Sequence, residues 1–317
     1  MSVKEFTEKV RKAVQEVLGN EYFVEAVENE KLNGIKYHGI SIHSKDKNVT
    51  PVIYMENFCK RYEEGRTLGD IVNEIVKLYW EYAPKESIDL EFINDFESVK
   101  DKICMKLCNR ERNSSYLEEL AHIDFLDLAI IFYMVVDECP NGIGTITLRN
   151  DLIEGWNVKT SDLMALAMEN TVRTQPVLKK SMNEFLREYI KRNNLQNNMA
   201  FQDMFGEADR MLTACPELWI LTNKSMSYGA AAILYPKELE SFADEHGSSL
   251  YIIPSSVHEV ILLPDNADIY ADLPREERIS SIKEMIAQVN DTELPKEDFL
   301  SYSLYYYDRE EKRVSVV

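Results

Sequence analysis

The most constraining stretch of this chain runs from Met226 to Leu263, where the densest apolar content meets the clearest punctuation. Tyr228 to Tyr235 is a run of small and apolar residues and reads as a strand. Pro236 then opens a helix that ends near His246, with Leu239, Phe242 and Ala243 on one face. Proline has no N–H to leave unpaired in a first turn, and Gly247 accepts the left-handed backbone that closes a helix. Leu250 to Ile253 and Val257 to Leu263 follow as strands around a Pro254-Ser255-Ser256 turn. Strand, helix and hairpin in this order make a core segment.

Around it, the chain reads as α+β. Ser2 to Gly19 has Phe6, Val10, Val14, Val17 and Leu18 at helical spacing. Tyr22 to Val27 and Ile35 to His43 form a hairpin across Asn33-Gly34, a pair that tolerates the positive φ angles of a tight turn. Val52 to Met55 adds a third strand. Helices over Asn57 to Glu63 and Leu68 to Tyr82 complete a unit of helix, three-stranded meander and helix. Ala83-Pro84-Lys85 marks a seam, so the expected domains are 1–85 and 86–317, packed together, the second built on residues 217–263.

In the second region, Phe96 to Arg110 reads as a helix. Asp124 to Val136 and Ile143 to Leu148 read as strands joined through Pro140-Asn141-Gly142. A helix follows from Thr160 or Ser161, Pro176 ends it, and Val177 to Arg192 reads as another. Asn193 to Asn198 is expected to loop, Leu218 to Thr222 to form a strand, and Pro274 to Val289 a helix. Ser301 to Tyr307 and Arg313 to Val317 close the chain as a hairpin.

Charge and cysteine usage limit the function. Against 36 basic residues stand 55 acidic ones, a net charge of −19. Nucleic-acid affinity comes largely from neutralising phosphates, so this balance argues against DNA or RNA and against anionic lipid. No apolar run reaches the roughly 18 residues of a membrane helix, and the amino-terminal residues lack a signal peptide's apolar core. Cys59, Cys104, Cys108, Cys139 and Cys215 are scattered and odd in number, as reduced thiols of a cytoplasmic protein are.

Few residues announce chemistry. None of the five histidines has metal-ligand spacing, and His38 and His43 fall on opposite faces of one strand. His258-Glu259 beside Ser255 and Ser256 brings a serine nucleophile to mind, but the Gly-x-Ser-x-Gly elbow is absent. Cys104 and Cys108 lie one turn apart on the expected helix and read as buried, inert thiols. Ser227-Tyr228-Gly229 precedes an expected strand, the wrong setting for a phosphate cradle. Asp265, Asp268 and Asp272 read as a solvated acidic loop rather than a calcium loop. No metal and no cofactor is called for.

The aromatic cluster Tyr302, Tyr305, Tyr306 and Tyr307 is different. Tyrosine has an apolar body and a wet tip, which suits interfaces. Alternation puts Tyr305 and Tyr307 on one face, and with Tyr302 they form the candidate surface for a protein partner.

The pieces NFCKRYEEGRTLGDIVNEIVKLY, LIEGWNVKTSDLMALAMENTVR and YGAAAILYPKELESFADEHGSSLYIIPSSVHEVILLPD resemble an uncharacterised domain-of-unknown-function family of Firmicute-type bacteria. The middle and carboxy-terminal pieces are also similar to the YtpQ-like family. The resemblance implies a compact, bacterial, cytosolic α+β protein and carries no catalytic residues. The expected function is non-enzymatic binding or protein interaction. The alternative is a hydrolase or other enzyme that gathers His258, His122 or His246 with a carboxylate or thiol in one pocket.

Overall fold

The computed structural model describes residues 1–45, 50–83, 91–139, 142–192, 218–267 and 272–317. Pro84, Lys85, Pro140, Asn141, the Asn193 to Asn198 segment, Cys215 and Asp268 lie outside the described residues. The chain divides into two compact units, Met1–Ile93 and Asn94–Val317. The fold is α+β, and every strand pairing among the described residues is antiparallel.

The first unit begins with α1 (Val3–Leu18), whose start is fixed by a reciprocal cap: the Ser2 hydroxyl accepts from the Glu5 N–H, and the Glu5 carboxylate accepts from the Ser2 N–H. Strands β1 (Tyr22–Glu30) and β2 (Lys36–Ser44) pair along their whole length. Their turn uses positive φ at Asn33 and Gly34, as the Asn-Gly pair requires. A short β3 (Val52–Tyr54) completes the sheet. Helices α2 (Glu56–Glu63) and α3 (Leu68–Tyr82) follow, α3 capped by the Thr67 side chain. One continuous apolar core joins Phe6, Val10 and Val14 of α1 to Val24, Ile40 and Ile42 of the sheet and to Ile71, Ile75 and Tyr79 of α3.

Among its described residues, the second unit holds two sheets. After a short helix α4 (Phe96–Val99) comes β4 (Ile103–Asn109), buried along its full length. The expected helix over Phe96 to Arg110 is therefore corrected: it stops after one turn. Because β4 is covered on both faces, its sequence does not alternate, and periodicity alone could not identify a strand. A short helix α5 (Ser114–Leu117) and strand β5 (His122–Phe125) lead to β6 (Leu128–Cys139) and β7 (Gly142–Thr147). The sheet runs β4-β6-β5, with β7 also on β6.

Helices α6 (Asn150–Trp156) and α7 (Thr160–Thr174) come next, and α7 packs against β4. The helix expected over Val177 to Arg192 is instead β8 (Val177–Ser181) followed by α8 (Met182–Arg192), because residues 177–181 pair with β9 (Trp219–Asn223) at every position.

The strand expected over Tyr228 to Tyr235 is a 3₁₀ helix, Gly229–Leu234. Its alanines are small enough for a tight helix to be buried against β9 and β4, where a strand would need a hydrogen-bonding neighbour. Helix α9 (Glu238–His246) ends at a left-handed Gly247 as the sequence requires. Strands β10 (Leu250–Pro254) and β11 (Val260–Pro264), helix α10 (Arg275–Thr292), and strands β12 (Tyr305–Asp308) and β13 (Arg313–Val316) complete the unit. The six-stranded sheet runs β13-β12-β10-β11-β9-β8. Ile282 and Ile286 of α10 cover one face of it through Tyr251, Ile253 and Leu263. Among the described residues, no helix is long and apolar enough to cross a membrane.

Candidate functional site

Polar side chains concentrate where β9 ends and the β10–β11 loop turns. Past Asn223 the chain bends through Met226 and Tyr228, both at left-handed φ (52° and 53°). Asn223 is fully buried and holds this bend. Its Nδ2 donates to Gln175 Oε1 (2.9 Å) and to the Ser227 carbonyl (2.8 Å), and its Oδ1 accepts from the Ser225 hydroxyl (2.8 Å) and the Ser227 N–H (3.3 Å). Gln175 extends the network: its Nε2 donates to the Tyr133 hydroxyl, and its backbone carbonyl accepts from the Tyr235 hydroxyl (3.0 Å). Burial pushes the ionisation of both tyrosines upward. Lys106, buried on β4, places its Nζ 4.2 Å from the Tyr228 ring centre, a cation–π contact.

Gly229 explains how closely the bend approaches β9. A Cβ there would lie 2.1 Å from Thr222 Oγ1 and 2.5 Å from the His258 carbonyl oxygen. The Thr222 hydroxyl donates to that same carbonyl (2.8 Å), so the space is already filled by a hydrogen bond.

The expected turn at Pro254-Ser255-Ser256 is longer than its sequence signal. Pro254 pairs with Val260, leaving residues 255–259 as the loop. Glu259 braces it: its Oε1 accepts from the hydroxyls of Ser255 (3.1 Å) and Ser256 (2.9 Å). Ser256 Oγ in turn accepts from the His258 N–H (2.9 Å). His258 ties the loop to two distant segments. Its Nδ1 accepts from the Tyr228 N–H (3.1 Å), and its Nε2 donates to Asp298 Oδ1 (3.1 Å). The hydrogen bond to Asp298 raises the histidine's ionisation above its ordinary value, against the opposing effect of burial.

A cavity of about 230 Å³ opens beside this loop. Met182 and Phe185 of α8, Ile220 of β9 and Ile261 of β11 supply apolar walls. Thr222, Ser255 and Glu259 supply its polar side, and the half-exposed Met226 also borders it.

The three candidate histidines are not brought together by any shared partner. The His122 ring bonds the Leu120 carbonyl (2.9 Å). The His246 ring bonds the Phe242 carbonyl (2.9 Å) and stacks on the Phe242 ring. Both ring nitrogens of His258 are occupied, and the serine hydroxyls beside it donate to Glu259 instead. A serine nucleophile needs its hydroxyl on the base. This arrangement does not supply one.

Cys104 and Cys108 share one face of a strand, not of a helix. Cys104 Sγ contacts Thr174 Oγ1 (3.6 Å), and Cys108 Sγ donates to the Ala129 carbonyl (3.7 Å). Burial pushes the Cys108 thiol up to about 12, so it carries no thiolate at neutral pH. Among the described residues, no group of three His, Cys, Asp or Glu could hold a metal ion. Asp265 of the acidic segment is paired with Arg278 (2.6 Å) and accepts the Tyr306 hydroxyl (2.8 Å).

The tyrosine surface needs a correction. Tyr305 and Tyr307 do share a face, as alternation predicts, but they are only 0% and 5% exposed. Tyr305 points its hydroxyl at Asp127 Oδ1 (2.7 Å), and the Ser301 (2.6 Å) and Ser303 (2.9 Å) hydroxyls donate to Oδ2 of the same carboxylate. The half-buried Asp127 carboxylate thus gives the buried Tyr305 phenol its acceptor. Tyr302 alone is open, at 43% exposure. Its hydroxyl donates to Asp291 (2.6 Å), and its ring packs on Phe299 (4.8 Å), over which the Arg112 guanidinium lies at 3.5 Å.

Fold and site define a two-unit α+β protein with a hydroxyl-braced carboxylate on the polar side of an apolar cavity. The chain belongs to DUF5688, a family of unknown function whose model matches residues 3–309. No curated protein and no solved structure matches it.

Proposed function

We propose that this is a non-enzymatic binding protein whose ligand enters the cavity beside the Ser255–Glu259 loop. The observation that carries this reading is the combination of apolar walls with a few convergent polar groups, the usual make-up of a small-molecule site. The locked state of His258 favours binding over catalysis there. Thermal-shift screening of compact organic ligands tests it, because a ligand that binds only the native state must stabilise it, by about 2.7 kcal/mol at a hundredfold excess over Kd. Met226→Trp, at the edge of the cavity, is expected to abolish the shifts. Ligands that stabilise this variant as well as the wild type place the site elsewhere.

A second reading, protein interaction, rests on Tyr302. An exposed tyrosine beside an arginine already stacked on an aromatic ring is the composition of binding hot spots. Capture of a partner that Tyr302→Ala loses while staying folded would support it. The proposed setting is the cytoplasm of a Firmicute-type bacterium, with kinship to the YtpQ-like family. The free, buried thiols of Cys59, Cys104 and Cys108 support a reducing compartment.

A further inference from the structure

We infer that the cavity beside β9 selects a compact organic ammonium ion, a cation on a short apolar body. This rests on the cavity being the binding site. Glu259 takes part in no ion pair among the described residues. Both of its serine partners bond the same oxygen, Oε1. That leaves the lone pairs of Oε2 for an incoming donor. The serines fix the carboxylate in place before any ligand arrives, so little orientation has to be lost on binding.

The rest of the lining selects the apolar body. Met182, Phe185, Ile220 and Ile261 present no charge, so they suit the apolar body, and the Phe185 ring suits the flank of a cation. A neutral apolar ligand would cover the carboxylate without replacing its water, which costs free energy. An anion would meet Glu259 and a chain whose net charge is already −19. The volume of about 230 Å³ lies below the roughly 300–1,000 Å³ of sites for drug-sized ligands, so the occupant is compact.

The test uses the full chain and three probes of equal length: n-hexylammonium, 1-hexanol and hexanoate. Each is titrated by calorimetry, with the methyl signals of Met182 and Met226 followed by NMR to locate binding. The expected order is hexylammonium at least tenfold tighter than hexanol, with hexanoate weakest. Glu259→Gln, whose amide oxygen can still accept the serine hydroxyls, should erase the preference for the cation, so that hexylammonium binds no tighter than hexanol. Glu259→Asp should retain part of it. Equal binding of hexanol and hexylammonium, or a preference that survives Glu259→Gln, overturns the ammonium assignment and spares the cavity as a site. If none of the three perturbs the two methionine methyls, both the assignment and the cavity reading fall.

Discussion

The two units cover their sheets with different chemistry. In the first, α1 and α3 press an apolar face onto the meander, and the buried side chains from Phe6 to Tyr79 are mainly apolar and aromatic, with only the small hydroxyls of Thr7 and Ser41 among the buried polar residues described there. Its longer polar ties sit nearer the margin: Gln15 bonds the part-buried backbone of β1 at Tyr22 and Val24, and Arg61 forks onto Glu74. In the second, polar groups reach the interior. Asn223, Asn109, Asn170, Asp127 and His258 each hydrogen-bond a group from a segment far away in sequence. An apolar core is specified by volume and area; a polar one by completed hydrogen bonds. Damage to the two should therefore differ in kind.

The largest effect is expected from Phe6→Ala, which empties fully buried volume in the first unit and should cost about 3–5 kcal/mol in urea denaturation. A loss under about 1 kcal/mol would mean that this core collapses around voids and is not specified by packing. Asp127→Ala should cost about 2–4 kcal/mol, since three hydroxyls lose one shared acceptor. Tyr305→Phe, which removes one donor from that carboxylate, should cost only about 1 kcal/mol. Equal losses for Asp127→Ala and Tyr305→Phe would show that the serines contribute nothing.

Gly229→Ala should cost about 1–3 kcal/mol, as the methyl group meets Thr222 and the His258 carbonyl. A neutral outcome would mean that the 3₁₀ helix can shift away from β9. The smallest effect concerns pH. The folded-state ionisation of His258 is raised by Asp298, so its contribution is fully present below about 6.5 and is lost as pH rises through the higher folded value. Relative to His258→Gln, the wild type should lose about 1 kcal/mol or less as pH rises above about 6.5, the pair being partly solvated. The opposite slope would mean that the Tyr228 N–H on Nδ1, which requires an unprotonated nitrogen, dominates the pair.

The same contrast decides what was legible in the sequence. The first unit could be read almost element by element, because α1, α3 and the Asn33-Gly34 hairpin carry period, cap and turn signals in adjacent residues. In the second unit β4, covered on both faces, has no alternation, and residues 177–181 are a strand only because β9 lies beside them. The alanine run near residue 230 satisfies a strand pattern and a 3₁₀ helix equally. The site was less legible still. Ser255, His258 and Glu259 stood out as residues, but their roles depend on Tyr228, Thr222 and Asp298, which lie 30 to 40 positions away. The cavity comes from the convergence of α8, β9 and β11, which no local pattern encodes.

The bond between Asp127 and Tyr305 spans 178 positions, and β12 lies between β10 and β13 in its sheet. During synthesis on the ribosome, the first unit has all of its strands and helices once residue 93 has emerged, and its short-range contacts can form at once. The second unit must keep β10 without its outer neighbour until residue 305 appears. Asp127 waits equally long for its phenol. A nascent chain stalled before that point would expose an open sheet edge, and chaperone capture is expected to concentrate there.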